Sequence, residues 1–333
     1  MNGIVAQGVS RAFGAVQAVK DASFEARPGR VTGLVGPNGA GKTTLLLMLA
    51  SLLAPDAGSI RLDDTDPIAD PLAARRKLGW MPDALGAWPS LTSRETLVTT
   101  GRLFDLPTAQ ARSRAEELLG VVGLGELADA PAKVLSRGQK QKLGLARALV
   151  HDPQVLLLDE PASGLDPEAR VHLRQLLRGF ADEGRTVLIS SHVLSELEEV
   201  VDDTVFMVAG SIVDTAEQQQ AARVWRVRVA GATAEGSADD RARVAAALGI
   251  PAESVGADRG AALLAFPGEQ EAAEALRGIV GAGIAVAEFA PAQSRLEQTF
   301  LSLRGTTPPQ AAASDQAGAS AVDGGASGQE AGA

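Results

Sequence analysis

The chain has 333 residues, 45% of them hydrophobic, and carries 31 Lys plus Arg against 41 Asp plus Glu, a formal charge of -10. That length accommodates one large domain or two ordinary ones. The acidic balance, with a pI near 4.9, argues against a generic electrostatic nucleic-acid binder, and no nucleic-acid partner is expected. The absence of cysteine removes disulfide frameworks, thiolate nucleophiles and cysteine metal sites.

The first segment, MNGIVAQGVSRAFGAV, has no basic stretch followed by an apolar one, so no secretory signal is expected and the cytoplasm is the default location. The short β-branched or leucine runs Val31 to Val35, Val155 to Leu158 and Val187 to Ser190 predict buried strands. Their alternation with helical patterns predicts an α/β unit with a mainly parallel sheet. The apolar run Leu45 to Leu53 is about half of the roughly 20 residues that a helix needs to cross a bilayer. From about Gly86 to His151 the periodicity is helical, with Thr92 and Glu95 at capping-box spacing, which predicts a helical subdomain inserted in the sheet unit. The polar stretch TAEQQQAA from Thr215 closes this first unit, expected over 1–215, and the alternation in WRVRV opens a small α+β unit expected over 223–304. Its expected order is strand, helix near Asp239 to Leu248, strand near Leu263 to Phe266, helix near Glu269 to Val280, strand near Ile284 to Phe289 and helix near Ser294 to Leu303. Residues 305–333 have almost no large apolar side chain, the composition of a disordered tail.

Three segments carry chemistry. After the strand VTGLV comes GPNGAGKTT, Gly36 to Thr44, and then the apolar run LLLMLASLL. This is the strand, loop and helix order of a phosphate-binding loop. Glycines at 36, 39 and 41, interleaved with Pro37, Asn38 and Ala40, let the backbone curl its N–H groups toward phosphate oxygens at a helix N-terminus. Lys42 is expected at the β and γ phosphates and Thr43 on magnesium, with Thr44 next in the loop. The segment VLLLDEPASGLDP sets Asp159 and Glu160 at the C-terminal edge of a buried strand, where ligands of open α/β sheets bind. Asp159 is expected to hold Mg2+ through its water shell and Glu160 to act as general base on the attacking water. Alone, this acidic pair reads equally well as a solvated strand end. Ser136 and Gly138 in LSRGQKQKLGLARAL precede an amphipathic helix, and taken alone they are an ordinary helix N-cap.

The order GPNGAGKTT, LSRGQ, LLLDEPASGLD and then a single His192 after a strand resembles the nucleotide-binding subunit of ATP-binding cassette (ABC) transporters, over about residues 4–214. The resemblance implies the phosphate-loop NTPase fold of a cassette and an ATPase using ATP and Mg2+. It further implies a homodimer in which two ATP molecules are shared between phosphate loop and signature. On it, Ser136, Gly138 and Gln139 touch the γ-phosphate held by the partner copy, whereas His192 bonds the γ-phosphate and the loop across the dimer. Ser163 to Asp166 link the two sites. Phe13 stands where the family's adenine-stacking aromatic, often Tyr, is found. Asp83 stands where the family has Gln or Glu contacting metal and attacking water, one methylene shorter than Glu, so a bridging water is expected. Arg137 replaces the commoner signature glycine. The closing segment SRLEQTFLSLRG is similar to one in exporter subunits, which favours export. The implied function is to energise export through a separately encoded integral membrane permease, docked near Asp83 to Leu91 between Trp80 and Trp88. That docking would place the chain on the inner face of the membrane. The alternative is a soluble ABC ATPase driving a non-membrane assembly partner.

Overall fold

The computed structural model describes residues 3–83, 88–191, 193–215, 222–231 and 237–305. In chain order the first part runs β1 (Ile4–Phe13), β2 (Val16–Ala26), β3 (Arg30–Val35), α1 (Lys42–Leu49), β4 (Ala57–Leu62), α2 (Pro71–Lys77) and β5 (Leu78–Met81). Three longer helices follow, α3 (Ser93–Leu103), α4 (Thr108–Val121) and α5 (Arg137–Leu149). The chain then returns through β6 (Val155–Asp159), α6 (Pro167–Asp182), β7 (Thr186–Ser190), α7 (Leu194–Glu198), β8 (Asp203–Val208) and β9 (Ser211–Val213).

The strands expected from the leucine and β-branched runs are β3, β6 and β7, and they sit side by side. The sheet order is β5-β6-β7-β3-β8-β9, parallel from β5 to β8 with β9 antiparallel at the edge. Both faces are covered: Leu34 and Leu157 belong to one core cluster, Val35 and Leu158 to another. This explains why the strands read as continuous apolar runs rather than alternating ones. A second sheet, β2-β1-β4, is wholly antiparallel. Helix α1 lies between the two sheets, with Leu45, Leu46, Met48 and Leu49 buried in the cluster that contains Ile4, Val9, Leu34 and Leu188. A helix apolar all round is what such a sandwiched position selects.

The segment read as a helical insertion contains α3, α4 and α5. The first is closed by the expected capping box, in which Thr92 Oγ1 accepts from Glu95 N and Thr92 N donates to Glu95 Oε2. Among the described residues no helix is long and apolar enough to cross a membrane.

Beyond residue 222 the order is β10 (Arg223–Val229), α8 (Ser237–Leu248), β11 (Gly256–Asp258), β12 (Ala261–Phe266), α9 (Glu269–Gly281), β13 (Val286–Pro291) and α10 (Arg295–Gly305). The sheet order β11-β12-β10-β13 with antiparallel neighbours is that of a split βαβ, ferredoxin-like layer. Strand β11 is not legible in the sequence, because three residues, Gly-Ala-Asp, carry no alternation. Val227, Val229, Leu264 and Ile279 form the core of this layer. Helix α10 leaves it: Leu296 and Leu303 are buried in the cluster that holds Leu173, Leu177, Leu197 and Val200, with Phe300 packed against them. The expected tail lies outside the described residues, apart from Gly305.

Candidate nucleotide site

The loop between β3 and α1 owes its path to residues that tolerate it. Gly39 and Gly41 stand at φ 78° and 101°, and a Cβ on Gly41 would lie 2.2 Å from the Ala18 carbonyl oxygen. No other residue fits that position without moving the backbone. Gly41 is also the N-cap of α1, so the loop's amides and the helix N-terminus share one concavity. Lys42 turns back over the loop: its Nζ donates to the carbonyls of Gly36 and Pro37 at 2.7 and 3.1 Å. It is 8% exposed. Burial holds its pKa below the ordinary 10.5, against the opposing pull of Glu160 and Asp159.

Strand β6 brings the carboxylates to the same place. Asp159 is 3% exposed and accepts from Thr43 Oγ1 at 3.2 Å on one oxygen and from the Ser190 hydroxyl on the other. A cavity of about 590 Å³ is lined by Asn38, Gly39, Ala40, Gly41, Lys42, Thr43, Thr44, Asp83, Asp159 and Glu160, together with Ala15 to Ala18. That volume is of the size small-molecule sites occupy. The loops after β3, β5 and β6, all at the C-terminal edge of the parallel sheet, thus bring residues as far apart in the chain as Asn38 and Glu160 to one surface. The shortened carboxylate Asp83 does reach this cavity.

Other sequence candidates lie elsewhere. Gly36 and Pro37 form the back of the loop and contribute carbonyls to Lys42. Phe13, half exposed at the end of β1, does not line the cavity and carries the Arg11 guanidinium 5.0 Å above its ring. The neighbouring Val16, 67% exposed, does line it. Ser136, Gly138 and Gln139 line no part of it. Instead Ser136 and Gln139 form a capping box at the start of α5, Ser136 Oγ accepting from Gln139 N at 3.2 Å and Ser136 N donating to Gln139 Oε1 at 2.8 Å. Arg137 explains how a glycine is dispensable there: its Nη2 donates to Ser163 Oγ at 2.7 Å. A Cβ on Gly164 would meet its aliphatic stem at 2.9 Å. His192 lies outside the described residues.

A second concavity, about 210 Å³, opens between the sheet and the inserted helices and is lined by Arg75, Trp80, Phe104, Arg147 and His151. Trp88, expected to flank a docking region, has the Arg147 guanidinium 5.4 Å over its ring. His151 stacks on Phe104 with centroids 3.8 Å apart, and one ring nitrogen lies 3.0 Å from the Leu78 carbonyl oxygen.

Comparison with known proteins follows the same lines. The family model described as ABC transporter matches residues 19–163. The ABC transporter ATP-binding protein NatA of Bacillus subtilis (strain 168) is 35% identical over 199 residues, 60% of this chain and 81% of that protein. The chain belongs to the ABC transporter family. Within that family it is 43% identical over 192 residues to the Nod factor export ATP-binding protein I of Paraburkholderia xenovorans (strain LB400), 58% of this chain and 63% of that protein. The match thus spans less than two thirds of the length of that relative. A solved ATP-binding subunit of an ABC transporter superposes with a TM-score of 0.59 at 27% identity, covering 63% of this chain and 87% of the other.

Proposed function

We propose that this chain binds and hydrolyses ATP as the nucleotide-binding subunit of an exporter, driving a separately encoded membrane permease. The observation that carries the reading is the convergence of Lys42, Thr43, Asp83, Asp159 and Glu160 on one cavity. Lys42 and the loop amides offer the positive field that a triphosphate needs. Glu160, at the cavity edge, is the general base that takes the proton of the attacking water. The donor set suits Mg2+: Thr43 Oγ1 and Asp159 are hard oxygen ligands on one wall. Among the described residues no cluster of three or more His, Cys, Asp or Glu could hold a metal ion. A magnesium ion shared with nucleotide phosphates is the arrangement that few protein ligands imply. Bound there, it neutralises phosphate charge. Asp83 and the cradle residues Gly36 to Thr44 position these groups, and His192 senses the γ-phosphate.

The placement of Ser136, Gly138 and Gln139 outside the chain's own cavity supports their acting on ATP held by a second copy, in a head-to-tail homodimer. The name of the Nod factor relative supports export as the direction. The permease then docks in the groove between Trp80 and Trp88, which would place the chain at the cytoplasmic face of a membrane. The test is capture of tagged Glu160→Gln protein, which retains contacts but not turnover, from detergent-solubilised native membranes. One polytopic membrane protein recovered in near-stoichiometric amount is the expected result. Recovery of soluble proteins alone overturns transport in favour of an assembly ATPase.

A further inference from the structure

Glu160 stands at φ 53°, a backbone region that a non-glycine residue occupies only when its surroundings impose it. The surroundings are specific. Its N–H lies 3.2 Å from the Ser190 carbonyl oxygen and 3.1 Å from Ser190 Oγ. Its carbonyl accepts from Ser163 N at 3.0 Å and from Gln141 Nε2 at 2.7 Å. Gln141 is 3% exposed and belongs to α5, the helix that begins at the Ser136 cap. The Glu160 carbonyl already has a donor in Ser163 N, so the Gln141 amide is not required merely to satisfy a buried acceptor. What it adds is a tie between two bodies: the inserted helices, to which α5 belongs, and the parallel sheet, from whose strand β6 Glu160 projects.

We propose that Gln141 is a positioning residue for hydrolysis: its amide fixes the Glu160 peptide, so the aim of the carboxylate depends on where α5 stands relative to β6. A shift of α5, whose first turn carries Ser136 and Gly138, is thereby carried to Glu160 within one chain. The proposal rests on the reading of Glu160 as general base and adds to it the route by which the signature helix controls that base.

The experiment uses the full chain with Gln141→Met, which keeps length and loses the donor, and Gln141→Glu, which keeps shape and offers only an acceptor. In both, kcat for ATP falls on the order of tenfold to a hundredfold, the effect of a misplaced reacting group. KM for ATP and the thermal midpoint stay near native. Hydrogen exchange without nucleotide speeds up in the peptide over residues 155–165 and nowhere in α1. In the Glu160→Gln background, Gln141→Met lowers the residual rate no further, because the two changes act on one group. Native kcat in both variants, or a loss of ATP affinity and thermal midpoint in parallel with kcat, overturns the proposal. If Glu160→Gln itself turns over at the native rate, the base reading fails first; if that variant is inert while Gln141→Met is native, this proposal alone fails.

Discussion

Lys42 sits between two opposed fields. Burial favours its neutral form, Glu160 and Asp159 favour the cation, and burial prevails. Between its lowered pKa and the ordinary 10.5 the unfolded chain binds more protons than the folded one, so its contribution to stability rises with pH through that window. Lys42→Ala removes the phosphate ligand and a desolvated charge together. ATP binding and turnover should vanish, while the thermal midpoint without nucleotide at neutral pH should hold or rise; near-native hydrolysis would remove the phosphate-loop assignment. His151 shows the same sign at lower pH. Burial lowers its pKa from 6.5, opposed by the Leu78 carbonyl and Asp152 and reinforced by Arg114. Its stabilising share is therefore complete above 6.5 and is lost as pH falls through the lowered value. His151→Gln should flatten the fall in urea stability from 6.5 down to about pH 5, above the range where carboxylates titrate; an unchanged slope would show that the ring is not held neutral. At this scale phosphate-loop spacing and a strand-end acidic pair are local signals, and they named Lys42, Asp159 and Glu160 of the charged lining, while Lys20, on β2, carries no such pattern and went unnamed. The bond from Gln141, the proposed positioning residue, is not legible in the sequence because its partner is a backbone carbonyl in a distant segment, which leaves no side-chain pattern to read.

At the scale of elements, the central parallel strands β3, β6 and β7 and the inserted helices were legible from periodicity, since each carries its own apolar run or stripe; the flanking parallel strands β5 and β8 were not. Nor were strands β1 and β2. Register shifts between Ala6 and Val9, and again on either side of Arg11, break the two-residue alternation that marks a half-buried strand. Helix α10 was legible as amphipathic, yet its stripe does not reveal which core it enters. The structure packs α10 against α7, with Leu296, Phe300 and Leu303 in the core cluster that also holds α6 residues, and Glu198 Oε1 accepts from Arg295 N at 2.9 Å at the helix start. Helix α7 is held from the other side by ion pairs from α6, Arg170 to Glu196 and Arg174 to Glu199. The segment after β7 is therefore braced between α6 and α10. Leu303 is 5% exposed, and Leu303→Ala should cost about 2–4 kcal/mol. Calorimetry should register this as a fall of roughly 5 °C or more in the transition that ATP protects. A shift confined to a separate, ATP-insensitive transition would show that α10 stabilises only its own layer.

For the whole molecule, the arrangement divides one proposed active site between two copies, and this can be tested without a membrane partner. The signature residues line no part of their own cavity, so on the proposed reading closure requires a second chain to bring its α5 N-terminus over the first chain's phosphate loop. Ser136 is exposed and caps α5, so any substitution has two effects that must be separated. Losing the cap costs about 0.5–2 kcal/mol, too little to unfold a domain of ordinary stability. Adding bulk and charge at this point obstructs the approach of the partner. Ser136→Asn retains a capping side chain of modest size, whereas Ser136→Arg loses the cap and adds the obstruction. In the Glu160→Gln background, light scattering should report an ATP-dependent dimer for Ser136→Asn and monomers for Ser136→Arg. Nucleotide titration should find ATP bound by both variants, because Lys42 and Thr43 are untouched. If Ser136→Arg dimerises with ATP as readily as Ser136→Asn does, the signature is not at the interface. The capping box would then be the whole account of LSRGQ, as its local sequence alone allows.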